Sequence, residues 1–137
     1  MTEHSYSPGA LPADRHDPQL ATDARRTVMR LLDEVHCDTE RVRADAGLVV
    51  AELVSNALRH GGGLSAFGAE VTPDGSALRL QVHDMSEARP VSRRTLGFDP
   101  ERPGGFGWPI VEHLASSVEV EMLPRGGKRI VVILALR

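Results

Sequence analysis

Apolar residues along this chain recur with two different spacings. Leu20, Ala24, Thr27, Val28, Leu31, Leu32 and Val35 return every three or four positions, which predicts an amphipathic helix over about 18–36. Asp17-Pro18 before it supplies a capping carboxylate and a proline suited to the first helical position. Val42, Ala46, Val49, Leu53 and Ala57, widened by Val50 and Val54, predict a second helix over about 40–60, ended by Gly61-Gly62-Gly63. The period then changes to two. Strands are expected over about 65–72 and 77–84, joined by the turn Pro73-Asp74-Gly75, with Leu78, Leu80 and Val82 alternating with Arg79, Gln81 and His83. Residues 85–103 are polar and carry Pro90, Pro100 and Pro103, the pattern of a long loop or lid. Ile110, Val111 and Leu114 suit a short third helix. Val118, Val120 and Met122 alternate with glutamates, and the apolar run 130–136, after the turn Pro124-Arg125-Gly126-Gly127, reads as a central strand. The order predicts an α+β two-layer sandwich, with helices on one face of a mixed, mostly antiparallel sheet.

Residues 1–17 show no periodicity and are rich in Pro, Gly, His and Ser, so a loosely ordered arm is expected ahead of one domain over 18–137. Composition mainly excludes. A net charge of −3 without a basic block gives no general attraction to nucleic acid or to an anionic membrane. The single Cys37 rules out an internal disulfide and a thiolate zinc cluster, and the six histidines include no pair at metal spacing. No apolar run approaches the ~20 residues of a membrane helix, and there is no signal-peptide pattern, so a cytoplasmic protein is expected.

Three features carry chemistry. Glu52, Asn56 and His60 are spaced by four, so they line one edge of the second helix beside its apolar stripe. A carboxylate and a carboxamide one turn apart can share a magnesium ion, a water or a phosphate-bearing ligand. Asp84 is the next residue on the core-facing register after Leu78, Leu80 and Val82, where a carboxylate needs a partner. It is expected to be buried at the base of a pocket and paired with a ligand base, or with water. Gly104-Gly105-Phe106-Gly107 opens the third helix, where free backbone NH groups and the helix dipole favour an anion.

Taken in this order, these stretches resemble the histidine-kinase-like (GHKL) ATPase superfamily, which includes gyrase B subunits, a heat-shock chaperone family, sensor kinases and mismatch-repair proteins. Glu52-Leu53-Val54-Ser55-Asn56-Ala57-Leu58-Arg59-His60-Gly61 resembles its N box, Asp84 the adenine-reading aspartate of its first glycine box, and Gly105-Phe106-Gly107 its second glycine box. The likeness covers about residues 18–136 and is nearest to the anti-sigma-factor serine/threonine kinases and the small stand-alone ATP-binding regulators of actinobacteria. It implies a Bergerat-type ATP-binding fold.

The resemblance also implies roles. Asn56 would coordinate Mg2+ between the ATP phosphates, and Glu52 would be the general base. Asp84 would accept from the adenine amino group. Gly105 and Gly107 would let the lid close over the phosphates, and Lys128 would sit near the floor of the site. Arg59 and His60 would belong to the same nucleotide-binding set. Two departures stand out. The family's box runs Asp-x-Gly-x-Gly, whereas Asp84-Met85-Ser86-Glu87-Ala88 has no glycine, and Arg129 stands where a Thr commonly follows Gly-Lys.

The implied function is an ATP-binding anti-sigma regulatory factor. It would act as a serine/threonine protein kinase on a small antagonist protein in a partner-switching pathway and would also bind a sigma factor, with a homodimer admitted. The alternative is a regulator that sequesters a sigma factor or antagonist by binding alone, with nucleotide held without catalysis or not at all. Glu52 favours the enzyme, since a pure binder needs no base; the missing glycines favour the binder.

Overall fold

The computed structural model describes residues 17–36, 39–60, 63–88 and 107–136. The N-terminal arm, most of the proline-rich segment 85–103 and Gly105 lie outside them. The elements run α1 (Asp17–Glu34), α2 (Glu40–His60), β1 (Leu64–Val71), β2 (Ala77–Asp84), α3 (Gly107–Leu114), β3 (Ser117–Met122) and β4 (Lys128–Ala135). The four strands form one sheet in the order β1-β2-β4-β3, with every ladder antiparallel. This is the α+β sandwich expected from the periodicity.

Core and pattern agree closely. Ala46, Val49, Val50, Leu53, Val54 and Ala57 of α2 are all buried, as are Ala24, Val28 and Leu32 of α1. They meet Phe67 and Ala69 of β1, Leu78, Leu80 and Val82 of β2, and Ile130, Val132 and Leu134 of β4. α2 is the central helix: it packs on α1, on α3 and on the first two strands. Trp108 and Val111 bring α3 into the same core. Pro109 is tolerated there because the first turn of a helix has no internal acceptors for its NH groups to meet. Two positions depart from the pattern, Met122 at the end of β3, which is exposed, and Val35. Val35 is 40% exposed, because α1 stops at Glu34 and His36 turns the chain left-handed with φ 56°. Arg25, Arg26 and Arg30, off the apolar stripe, are exposed.

The β1–β2 turn is built as its residues dictate. Gly75 takes φ 74° and donates its NH to the Thr72 carbonyl at 2.8 Å. Asp74 Oδ1 accepts from the Ser76 NH at 3.0 Å and from the Thr72 and Ser76 hydroxyls at 2.8 and 2.7 Å.

The face of the sheet away from the helices carries a polar row. Glu70 pairs with Arg79 across the β1–β2 ladder, and Arg79 Nη1 donates to Gln81 Oε1 at 2.8 Å. That fixes the Gln81 amide nitrogen as the donor toward His83 Nε2, 3.0 Å away, so His83 must accept with a neutral ring. Burial holds the His83 pKa below its ordinary value of 6.5, and the Arg129 guanidinium adds to this, against the opposite pull of Asp84 and Glu121. A folded-state pKa below the unfolded one means the unfolded chain takes up the proton first. The His83 contribution to stability is therefore complete above about pH 6.5 and is lost as pH falls from there through the folded-state value. Urea unfolding of wild type and His83→Gln from about pH 8 to pH 5 checks this: the stability difference between them should shift against wild type as pH falls.

Candidate functional site

The site is assembled where the ends of α2, β2 and β4 meet. In β2, residues of one parity face the helices, so Asp84 follows Leu78, Leu80 and Val82 inward and is 2% exposed. The β2–β4 ladder sets Lys128 directly opposite it, and cross-strand partners share a face. Lys128 is therefore also carried inward and is 2% exposed. Its Nζ lies 2.9 Å from each carboxylate oxygen of Asp84 and donates to Oδ1. The sequence placed Lys128 near the floor of the site without pairing it to this carboxylate; the fold makes the two an ion pair.

Two further contacts hold the carboxylate. The Ser86 NH donates to Asp84 Oδ1 at 3.0 Å, an Asx turn, and Lys128 Nζ reaches the Ser86 carbonyl at 3.4 Å. Ser86 Oγ in turn accepts from the Ala88 NH at 3.0 Å. Oδ2 is left buried and, despite its closeness to the ammonium, without a hydrogen bond among the described residues. Its closeness to the ammonium makes it the second half of the ion pair.

Gly127 makes this geometry reachable. It takes φ 81°, and a Cβ there would collide with the Asp84 carbonyl oxygen. Only glycine lets the start of β4 lie so close to the end of β2. On the other side, the Gly63 NH donates to the Ala57 carbonyl at 3.2 Å, closing the end of α2, and the Gly63 carbonyl accepts from the Met85 NH at 3.3 Å. Two backbone hydrogen bonds thus tie the neighbour of Asn56 to the neighbour of Asp84.

On α2, Glu52 and Asn56 are both half-buried, beside fully buried Leu53, Val54 and Ala57. Neither makes a side-chain hydrogen bond or ion pair among the described residues. Arg59 is exposed, and the His60 side chain lies outside what is described. Gly107 is the first residue of α3. Arg129 points to the opposite face of the sheet, beside His83, and its Nε donates to Glu121 at 3.0 Å. Strand alternation therefore removes Arg129 from the Asp84 side, whatever the alignment of motifs implies. The Ser86 amide and Gly127 were missed in the sequence. Both act through backbone geometry, which residue type does not disclose.

A model of the histidine kinase-like ATPase domain matches residues 13–134, and the chain belongs to that family. Membership supports ATP binding by a regulatory domain. Among the described residues, no helix is long and apolar enough to cross a membrane. A stretch of 90 residues is also 27% identical to imidazoleglycerol-phosphate dehydratase of Kluyveromyces lactis, over 66% of this chain and 40% of that protein. The chain thus spans about two fifths of that relative's length, and a likeness of this extent assigns no activity here.

Three substitutions test the site's construction. Lys128→Met strands a buried carboxylate and should cost about 3–5 kcal/mol in urea unfolding, while the double variant Asp84→Leu/Lys128→Met should recover most of that loss. Gly127→Ala combines a left-handed backbone with a clash against main-chain oxygen and should cost at least ~2 kcal/mol by the same measurement.

Proposed function

We propose that this chain is an ATP-binding anti-sigma regulatory factor that acts as a serine/threonine protein kinase on a small antagonist protein and also holds a sigma factor. The observation that carries the nucleotide part is Asp84: a carboxylate buried at the end of β2, paired with the buried Lys128 and with Oδ2 outside hydrogen-bond geometry among the described residues. A carboxylate oxygen can accept from more than one donor, and the amino group of adenine is a donor of the right kind. Asp84 would read the base, with Lys128 beneath it. Asn56 would hold Mg2+. An ion there would be bound largely through the ligand phosphates. Gly105 and Gly107 would serve those phosphates, Gly107 being the first residue of α3, and Arg59 and His60 would belong to the same nucleotide-binding set. When bound, ATP supplies the transferable phosphoryl group. Glu52, one helical turn before Asn56, would take the proton from the acceptor hydroxyl, assistance worth ~10²–10⁴ in rate.

One observation favours a second reading, a regulator that works by binding alone. Where the family's first glycine box leaves room, Ser86 is held by both Asp84 and Lys128.

Calorimetric titration with ATP and Mg2+ tests the nucleotide reading: binding should be measurable, and Asn56→Ala or chelation should weaken it with the fold intact. Failure to bind at millimolar ATP would remove both readings that use nucleotide. Incorporation of labelled phosphate into the antagonist encoded nearest in the genome then separates enzyme from binder. Glu52→Gln should keep ATP affinity within a few-fold yet lower incorporation by about two orders of magnitude or more. Equal incorporation would take Glu52 out of the mechanism, and tight ATP binding without incorporation by wild type would leave the binding-only regulator.

A further inference from the structure

We propose that the outward face of α2, centred on Leu48, is a docking surface for an acidic amphipathic helix of a partner protein. The inference rests on the reading above that this chain holds a protein partner, and it names the surface and the chemistry that would do so.

α2 is packed on three sides, by α1, by α3 and by the sheet. Its fourth side carries Arg41, Ala44, Leu48, Ala51, Ser55 and Arg59, which recur every three or four positions and so share one face. Ala44 is exposed, Leu48 is 41% exposed, and Ala51 and Ser55 are half-buried. A single exposed leucine is ordinary on a protein surface. A face with no charged side chain between Arg41 and Arg59 is not, because the side of a helix turned from the core normally carries charged and polar residues. Asp45 and Glu52 lie to one side, on the flank that carries Asn56. On the other flank, a Cβ at Gly47 would come within 3.5 Å of Met29 Cε and 3.7 Å of Arg25 Nε, so side chains of α1 border the face there.

The charges around this face decide what covers it. Arg41 and Arg59 stand at its two ends, separated by about 27 Å of helix. Both are exposed, as is Arg25 on the α1 flank. Among the described residues Arg25 and Arg59 make no ion pair. Arg41 reaches only Asp45, at 3.9 Å, with its own side chain 87% exposed. A second copy of the chain fits poorly. Two such faces packed antiparallel set each Arg41 against the other copy's Arg59, and packed parallel they set each arginine against its own counterpart. Like charges meet at both ends either way. An acidic helix answers the arginines, and its apolar stripe covers Ala44, Leu48 and Ala51. Leu48 then supplies the buried centre of the contact, and the arginines set orientation and association rate.

The test measures binding to wild type, Leu48→Glu and Arg41→Glu by calorimetry and stopped-flow mixing. The probes are the antagonist encoded nearest in the genome and the sigma factors of that genome. Leu48→Glu should weaken binding of whichever probe the wild type holds by about 30-fold or more. Arg41→Glu should slow association several-fold, a difference that shrinks as salt is raised. Both positions are exposed, so both variants should fold, and an unchanged urea midpoint checks that. Binding by folded Leu48→Glu within about threefold of wild type would overturn the inference. So would a wild type that dimerises in the ultracentrifuge while Leu48→Glu stays monomeric, since the face would then belong to a second copy. If no probe binds wild type, the partner-holding reading falls and takes this inference with it; if one binds and Leu48→Glu holds it equally well, only the inference falls.

Discussion

The ion pair between Asp84 and Lys128 is the constraint around which the rest of this molecule is arranged. Two opposite charges lie in an apolar core, and neither can be there alone. Holding them together requires the last residue of β2 and the first of β4 to face each other on the helix side of the sheet. That requires an exact register over the whole β2–β4 ladder, and a one-residue slip would turn both charges to the other face. It also requires a glycine at 127, since any side chain there would meet the main chain of Asp84. A pair of this kind adds little net stability over a well-packed apolar substitute. What it contributes is the penalty attached to every other arrangement.

The two faces of the sheet divide the chemistry. On the helix side, Asp84 ends an apolar register and is held there by Lys128 and the Ser86 amide. On the far side, Glu70, Arg79, Gln81, His83, Arg129 and Glu121 form a continuous polar row, in which His83 is neutral because its neighbour Gln81 must donate to it. These rows are one residue apart in sequence along β2 and β4, yet the pleat keeps them on opposite surfaces. Arg129 shows the consequence. It adjoins Lys128 in the chain but belongs to the outer row, so it cannot replace a contact on the Asp84 side.

Membership of the histidine kinase-like ATPase family and the arrangement around Asp84 support the same broad function from different directions. The family match covers nearly the whole chain, and the structure buries a carboxylate at the position where the proposed reading puts the base. This chain differs from the family's usual pattern after Asp84, where Ser86 closes an Asx turn in place of a glycine. Lys128 and Ser86 work as one unit there, each bonded to the same carboxylate oxygen and to each other.

Much of this protein was legible in its sequence. Periods of three to four and of two located every described helix and strand to within about two residues, because burial of one face is a local requirement repeated along each element. The α2 stripe, the inward register of Asp84 and the turn at Pro73-Asp74-Gly75 could all be read directly. So could the half-buried line of Glu52 and Asn56, since four-residue spacing fixes a helix face. What the sequence could not disclose is which residue meets Asp84. β2 and β4 are separated by more than forty residues, and nothing local sets the register between strands so far apart. Water or ligand was therefore the natural expectation for that carboxylate, and only the folded sheet put Lys128 there. The Ser86 amide and the collision that reserves position 127 for glycine were hidden for the same reason. They are properties of backbone atoms brought together by tertiary structure, and side-chain identity alone does not encode where those atoms go.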